Sequence, residues 1–204
     1  MVKRLYAPNV VLLAVLAMAA SACATKSVSR IDPSSVTDLS GRWNDTDSRL
    51  VANTLIEQSL NEAWARRFAE AHGGEAPKVI VGSFRNRTME HIAVNTFVND
   101  LERAFVNTGA VQVVAGGEER SEVRDEKADQ QENARADTRA RIGQELGANY
   151  MLQGEIQAIE DTEGRERIVY YQIDATLTDM ESNIRVWAGQ HKIKKYIERK
   201  RFGL

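Results

Sequence analysis

Residues 167–179 have the sequence Arg167-Ile-Val-Tyr-Tyr-Gln-Ile-Asp-Ala-Thr-Leu-Thr-Asp179, and this stretch shows the clearest periodicity in the 204-residue chain. Apolar side chains occupy every second position, at Val169, Tyr171, Ile173, Ala175 and Leu177. Because successive side chains of a strand point to opposite faces, the alternation predicts a β-strand with one face in a core and the other in water.

Two further strand patterns flank this stretch. Tyr150–Ile159 precedes it and Ile184–Lys195 follows it, and both are rich in β-branched and aromatic residues. Turn residues separate the three runs, at Glu163-Gly164 and at Glu181-Ser182-Asn183. Since short connections join antiparallel neighbours, the C-terminal half is predicted to be a three-stranded antiparallel meander.

The N-terminal half alternates between helical and strand patterns. Apolar residues at helical spacing predict one helix from Thr46 to Gly73-Gly74 and a second helix that ends at Gly109. Runs of β-branched residues predict strands over Lys78–Phe84 and Val111–Ala115. The apolar stripes consist of Leu50, Leu55, Ile56, Leu60, Trp64 and Phe68 in the first helix, and of Phe97, Leu101, Ala104 and Phe105 in the second.

The stretch Glu118–Glu145 is highly charged, and its only large apolar residues are Val123 and Ile142. It is predicted to be an exposed helical excursion, broken in two and closing at Gly147. The element order is therefore helix, strand, helix, strand, helix and a meander. This order predicts an α/β (α+β) fold, with a mixed sheet of about five strands and flanking helices.

The N-terminus has the features of a bacterial lipoprotein signal. Lys3 and Arg4 precede the apolar run Val10–Ala20, and the small residues Ala20-Ser21-Ala22 lead directly to Cys23, the only cysteine of the chain. We expect residues 1–22 to be a signal peptide and Cys23 to be the site of lipid attachment, carrying acyl chains such as palmitate. An ordinary signal peptidase would also accept Ala20-Ser21-Ala22, and this alternative gives a soluble secreted protein.

The residues after Cys23 suggest where the protein is held. In enteric bacteria a residue other than Asp after the acylated cysteine directs a lipoprotein to the outer membrane, and Ala24 occupies that position. Residues 23–38 are expected to be the lipidated cysteine and a flexible tether, because they contain few large apolar side chains. Residues 39–204 are expected to form one globular domain that faces the periplasm.

Composition and motifs exclude several classes of function. The net charge is −2, which gives no strong attraction to nucleic acid. No phosphate-binding loop, dinucleotide-binding turn, nucleophile elbow or zinc-protease motif occurs. His72, His91 and His191 stand far apart, without cysteines or carboxylates at ligand spacing. The sequence therefore predicts no catalytic residue, metal or cofactor; the carboxylates on the strands are expected to lie on a solvated face.

One loop has the residues of a binding site. The predicted strand that ends at Phe84 continues into Arg85-Asn86-Arg87-Thr88. Two arginines and an amide after a strand form a donor-rich surface suited to carboxylates or to an acidic patch on a partner protein. The alternative is structural: Asn86 and Thr88 shape the turn, and the arginines are solvated.

Four stretches stand in a characteristic order along the chain. They are Gly41-Arg-Trp-Asn44, Val79-Ile-Val-Gly-Ser-Phe-Arg-Asn-Arg-Thr88, Gly147-Ala-Asn-Tyr-Met-Leu-Gln-Gly154, and Val169-Tyr-Tyr-Gln-Ile-Asp174 running on to Ile184-Arg-Val-Trp-Ala-Gly189. Together they resemble the LpoB-type penicillin-binding protein activators, over residues 39–195. The resemblance implies a domain similar to the N-terminal domain of the translocation protein TolB, on an outer-membrane lipoprotein.

The resemblance also implies a function. Members of this family dock onto a class A penicillin-binding protein, a peptidoglycan synthase, and stimulate it without catalytic residues of their own. The best-known members carry a long Pro-rich linker, whereas this chain has only residues 24–38 in that place. The alternative is a structural or assembly lipoprotein of the envelope that does not affect synthase activity. The oligomeric state stays open.

A basic tail closes the chain. It comprises Lys192, Lys194, Lys195, Arg199, Lys200 and Arg201. Such a tail suits anionic cell-wall polymer or lipid headgroups near the anchor. The alternative is that alternating lysines guard an edge strand against pairing with another chain, and the sequence favours the guard.

Overall fold

The structure, a computed structural model, describes residues 27–199. The predicted signal peptide, Cys23 and the tail residues Lys200 and Arg201 lie outside the described residues. The described residues belong to two units, 27–35 and 36–199. In the first unit, the Asp32 carboxylate accepts hydrogen bonds from the backbone N–H and the hydroxyl of Ser34, at 2.8 and 2.7 Å. These bonds lower the pKa of Asp32.

The second unit contains four helices and five strands within the described residues. They are α1 (Asp45–Asn61), α2 (Trp64–Ala71), β1 (Lys78–Asn86), α3 (Val94–Thr108), β2 (Gln112–Val113), α4 (Gly117–Asn133), β3 (Tyr150–Glu163), β4 (Glu166–Asp179) and β5 (Arg185–Glu198). The sheet has the strand order β2-β1-β3-β4-β5. β1 runs parallel to β2 and β3, whereas β3, β4 and β5 are antiparallel. The predicted mixed sheet and the C-terminal meander are confirmed.

One face of the sheet carries the core. The alternating side chains of β4 are buried as predicted, with Tyr171, Ile173 and Leu177 at 0% exposure. α1 packs on α3 and β5, and α3 packs on β1 and β2. The ring of Phe97 in α3 meets that of Phe84 in β1 edge to face, with centroids 5.2 Å apart. We call the covered side the core face and the opposite side the outer face.

The first predicted helix is two helices. α1 begins at a capping box in which Asn44 and Asp47 exchange side-chain to backbone hydrogen bonds, so Asn44 is the N-cap. α1 ends at Asn61, where the indole N–H of Trp64 donates to the carbonyl oxygen of Ser59 at 2.7 Å. This bond satisfies a terminal carbonyl and allows α2 to start at a new angle. Leu50 is 48% exposed, so its assignment to the apolar stripe was wrong.

A β-bulge in β1 changes which side chains enter the core. Val81 pairs with Leu152 and Phe84 pairs with Gly154, so that two residues of β1 lie opposite one residue of β3. Strict alternation would place Val81 and Phe84 on opposite faces, but the bulge buries both. Gly154 is required beneath Phe84, because a Cβ at this position would overlap the Phe84 ring and the carbonyl oxygen of Asp174.

The charged excursion is only half helical. α4 has no buried residue, which confirms its predicted exposure. Residues 134–149 are not helical, so the predicted second half was wrong; Gly143 adopts a φ of +73° within this segment. The segment returns alongside α4, where the Arg124 guanidinium lies 3.0 Å from the Glu145 carboxylate.

A buried lysine joins the last strand to the start of α1. Lys195 Nζ donates to Asp47 at 2.6 Å, to Asp38 at 2.7 Å and to the carbonyl oxygen of Arg42 at 3.2 Å. The Lys195 side chain is only 10% exposed and that of Asp47 8%. Burial alone would lower the pKa of Lys195, but the two carboxylates outweigh this effect and raise it. Lys195 is therefore a structural clamp; Lys192 and Lys194 remain exposed on the other face.

Truncation of a core residue in α3 tests the burial assignment. Leu101→Ala should lower the free energy of unfolding by about 2–5 kcal/mol, since Leu101 is fully buried. Val106→Ala is the matched control, because Val106 lies on the same helix and is 57% exposed. The control should change stability by less than about 0.5 kcal/mol in denaturant titration. Equal losses in the two variants would contradict the packing described.

Removal of the Lys195 cation tests the clamp. Lys195→Met should lower the free energy of unfolding by about 3 kcal/mol, because it leaves the Asp47 carboxylate buried without a cation. Lys194→Met, on the exposed face of the same strand, should change stability by less than about 0.5 kcal/mol.

The stabilisation that the Lys195 clamp contributes should also depend on pH. The hydrogen bond from Lys195 holds the pKa of Asp38 below its ordinary value. A lowered carboxyl pKa stabilises the fold above the unfolded-state pKa of about 4, and this stabilisation is lost as the pH falls through the folded-state pKa. The stability gap between wild type and Lys195→Met should therefore narrow below about pH 4. A constant gap down to acid unfolding would contradict this role of Asp38.

Candidate functional site

The loop that follows β1 is organised by two of the residues predicted to bind a partner. The Asn86 side-chain amide donates to the carbonyl oxygen of Glu90 at 2.7 Å. Its oxygen accepts from the backbone N–H and the hydroxyl of Thr88, at 2.9 and 2.7 Å. Asn86 and Thr88 thus use their polar groups within the loop and hold it in one conformation.

The two arginines lie at the end of β1 and in the loop after it, because β1 continues through Arg85 to Asn86 and the predicted strand end at Phe84 was wrong. Arg85 pairs in register with Glu155 of β3, and both lie on the outer face. The Arg87 N–H donates to the carbonyl oxygen of Ile156 at 2.8 Å, and its Nε lies 3.7 Å from Glu155 Oε2. No carboxylate within residues 27–199 forms an ion pair with Arg85. Both arginine side chains are exposed and open to a partner.

The base of the loop is fastened to the core. The buried carboxylate of Glu90 accepts from the Trp43 backbone N–H at 3.2 Å and lies 3.8 Å from the Arg167 guanidinium. The hydroxyl of Tyr171 is buried next to Glu90, although the geometry gives it no hydrogen-bond partner. Burial strongly raises the pKa of Tyr171, and the Glu90 carboxylate raises it further. These contacts leave the loop little freedom to move.

Arg85 also lines a shallow groove of about 420 Å³ on the outer face. The groove is lined by Ser83, Arg85, Gln153, Gly154, Glu155, Asp174, Thr176 and Arg185. The carboxylates of Glu155 and Asp174 lie on a strand face, as the sequence predicts, and the sheet brings them beside Arg85.

Arg185 and Gln153 were not singled out by the sequence. Alternation would place Arg185 on the same face as the buried Trp187. A second bulge, between β4 and β5, pairs Thr178 with Arg185 and Leu177 with Trp187, which turns Arg185 to the outer face. No sequence signal marks this bulge.

Amide side chains hold the carboxylates of the groove. Asp174 accepts from the Gln190 and Gln172 amides at 2.6 and 2.8 Å, and Glu155 accepts from Gln157 at 2.6 Å. Arg85 and Arg185 have no ion-pair partner within residues 27–199. The groove therefore offers free guanidinium donors beside fixed acceptors, an arrangement suited to charged side chains of another protein.

Across residues 27–199, no three His, Cys, Asp or Glu side chains are grouped so that they could hold a metal ion. In the same range, no helix combines the length and the apolar character needed to cross a bilayer.

A pair of neighbouring variants separates loop architecture from exposed contacts. Asn86→Ala should lower the free energy of unfolding by about 1–3 kcal/mol, because it removes hydrogen bonds to Glu90 and Thr88 from a partly buried turn. Arg85→Ala, one residue earlier, should change it by less than about 0.5 kcal/mol. Both are measured by chemical denaturation. A neutral Asn86→Ala would show that the turn does not depend on this side chain.

Several solved structures are similar to this chain. Lipoprotein GNA1162 from Neisseria meningitidis is 15% identical, with a TM-score of 0.38, over 62% of this chain and 88% of that one. The LpoB C-terminal domain from Escherichia coli is 15% identical, with a TM-score of 0.37, over 64% and 96%. The NMR structure of E. coli LpoB is 14% identical, with a TM-score of 0.37, over 88% and 86%. At these identities and TM-scores, the similarity to solved structures supports no inference about function.

The family model gives a clearer result. No curated protein matches the chain. The model described as peptidoglycan-synthase activator LpoB, however, matches residues 47–193. This match spans all of α1 except its first two residues, every element from α2 to β4 and most of β5. The chain therefore belongs to the LpoB family of peptidoglycan-synthase activators.

Proposed function

We propose that this protein is a non-catalytic lipoprotein that binds a class A penicillin-binding protein and stimulates its synthesis of peptidoglycan. Membership of the activator family supports this proposal. The observation behind the docking site is the fixed segment at the end of β1, in which Arg85 lines a polar groove and Arg87 lies 3.7 Å from Glu155 of the same groove.

The loop is suited to docking because it is ordered before binding. Asn86, Thr88 and Glu90 hold its backbone through hydrogen bonds. A surface that is already in its bound conformation loses little conformational entropy on association. Arginine is enriched at protein interfaces, and its planar guanidinium binds carboxylates through two parallel hydrogen bonds. The partner surface should therefore be acidic where it meets Arg85 and Arg87.

Stimulation of an enzyme by a protein without catalytic groups follows from differential affinity. A partner that binds the active conformation of the synthase more tightly than the idle one shifts the population towards activity. The shift cannot exceed the ratio of the two affinities. Within this proposal, the Arg85–Thr88 loop contributes contacts that the synthase offers fully only in its active conformation.

The proposed location follows from the N-terminal sequence. Signal peptide 1–22 is removed, Cys23 is acylated, and residues 24–38 tether the domain 39–204 to the periplasmic side of the outer membrane. Fully extended, these 15 tether residues span about 50 Å at roughly 3.3 Å per residue. The domain thus stays near its membrane, and the synthase has to project towards it.

Charge reversal in the loop tests the docking site. The mature chain is added to each class A penicillin-binding protein of the same bacterium, and lipid II polymerisation and cross-linking are followed. Wild type should bind and stimulate one of these synthases. Arg85→Glu combined with Arg87→Glu should weaken binding roughly 100-fold, from about 1–2 kcal/mol for each interface arginine. Thermal unfolding of the double variant should match that of wild type.

The matched control is Arg139→Glu combined with Arg141→Glu. These exposed arginines have the same spacing and lie in residues 134–149. The control should stimulate like wild type. Equal activity of both double variants would exclude the loop as the docking site. Failure of wild type to bind or stimulate any synthase would leave a structural envelope lipoprotein, the alternative function.

A further inference from the structure

A second groove lies at the far end of the β3–β4 hairpin, where the first and last described residues of the domain meet. It has a volume of about 620 Å³. Its walls come from residues 39–42, from the hairpin turn and from the end of β5. The residues that matter for its chemistry are Leu39, Arg42, Arg165, Glu166, Glu198 and Arg199.

Three of the arginines in this groove have no acidic partner. Arg42, Arg165 and Arg199 are exposed, and no carboxylate of residues 27–199 forms an ion pair with any of them. The backbone N–H of Arg199 donates to the carbonyl oxygen of Arg165 at 3.1 Å, so these two residues are held side by side. Neighbouring like charges on paired strands are unfavourable, and a bound anion would offset this repulsion.

The other charged groups of the groove are largely engaged. Arg167 is 2.7 Å from Glu160. Glu166 accepts a hydrogen bond from the Tyr196 hydroxyl at 2.9 Å. Glu198, like Glu166, has no cationic partner among the described residues, so the wall holds two carboxylates without an ion pair. Three unpaired guanidinium groups against these two carboxylates still leave the groove net positive.

An exposed leucine stands at the same groove. Leu39 is 93% exposed, although it lies beside charged residues. Arginines next to an exposed aliphatic side chain are typical of surfaces that lie on a membrane, where guanidinium groups meet phosphates and the apolar group enters the acyl boundary. Leu39 is also 16 residues after Cys23 in sequence, a span of at most about 50 Å.

We propose that this groove binds the phosphate headgroup of an anionic membrane phospholipid, through the guanidinium groups of Arg42, Arg165 and Arg199 and with Leu39 in the acyl boundary. Guanidinium groups bind phosphate oxygens in bidentate geometry. The binding would hold the domain against its own membrane surface. This inference rests on the proposed lipid anchor only because the anchor would place the membrane near the groove. Its test does not involve a synthase.

The experiment uses the mature chain, residues 23–204, with Cys23→Ser so that no acyl chain contributes to binding. Partition onto vesicles of phosphatidylcholine with phosphatidylglycerol is compared with partition onto phosphatidylcholine alone, by co-sedimentation. The chain should bind the anionic vesicles and not the neutral ones. The triple variant Arg42→Gln, Arg165→Gln, Arg199→Gln should bind roughly 100-fold more weakly, at about fivefold per arginine near an anionic surface.

The matched control replaces Arg66, Arg139 and Arg141 by Gln, which removes the same charge from exposed positions away from the groove. It should bind like the parent chain. Equal binding by the groove variant and the control would overturn the proposal, because a diffuse charge effect would then suffice. Equal binding of the parent to neutral and anionic vesicles would overturn it as well.

Two further measurements complete the test. Leu39→Ser should weaken vesicle binding without changing thermal unfolding, and Arg165→Gln alone serves if the triple variant does not fold. Inorganic pyrophosphate should compete with the vesicles for the groove. A thermal shift with pyrophosphate but no vesicle binding would show a site for free phosphates, and would overturn the assignment to a lipid.

Discussion

The sheet is covered on one face only, and the rest of the structure depends on this constraint. α1, α2 and α3 supply the covering side chains, and α3 packs its buried face on β1 and β2. Each strand then places most of its large apolar residues on the core face. In β4 strict alternation is sufficient, whereas β1 and β5 each contain a bulge that changes which positions of the strand face the core. Without the β1 bulge, Phe84 would face water and Arg85 would point into the core.

The uncovered face becomes the part of the domain that is free to bind. Its strand residues are mostly polar, and the groove beside Arg85 is formed from four adjacent strands. The chain carries a net charge of only −2, yet arginines without an ion-pair partner among residues 27–199 line two grooves: Arg85 and Arg185 on the outer face, and Arg42, Arg165 and Arg199 at the end of the hairpin. The local charge of these grooves therefore differs from the overall charge of the chain.

Several positions in the sequence were correctly assigned because their cause is local. The alternation of Val169 to Leu177 predicts a half-buried strand, and Gly109 ends α3 in a left-handed conformation, as glycine permits. The errors have tertiary causes. A stripe of apolar residues from Leu55 to Phe68 continues through the break at Glu62, because Trp64 packs into the same core from a second helix. Lys195 has the sequence context of its exposed neighbours, but it is buried between two aspartates.

The sequence by itself determined the class of fold, the order of its elements, the family and the loop Arg85–Thr88 as a candidate site. The spacing of apolar residues and the residue types found in turns are properties of consecutive residues, so both can be recognised without a structure. Only the tertiary structure decided which side chains of that loop are free. In the structure, Asn86 and Thr88 form hydrogen bonds within the loop, and Arg85 lies beside Glu155 and Asp174. Residues 39–42 line one groove together with Arg165 and Arg199. These groups are far apart in sequence, and the register of the strands, set by one-residue bulges, brings them together.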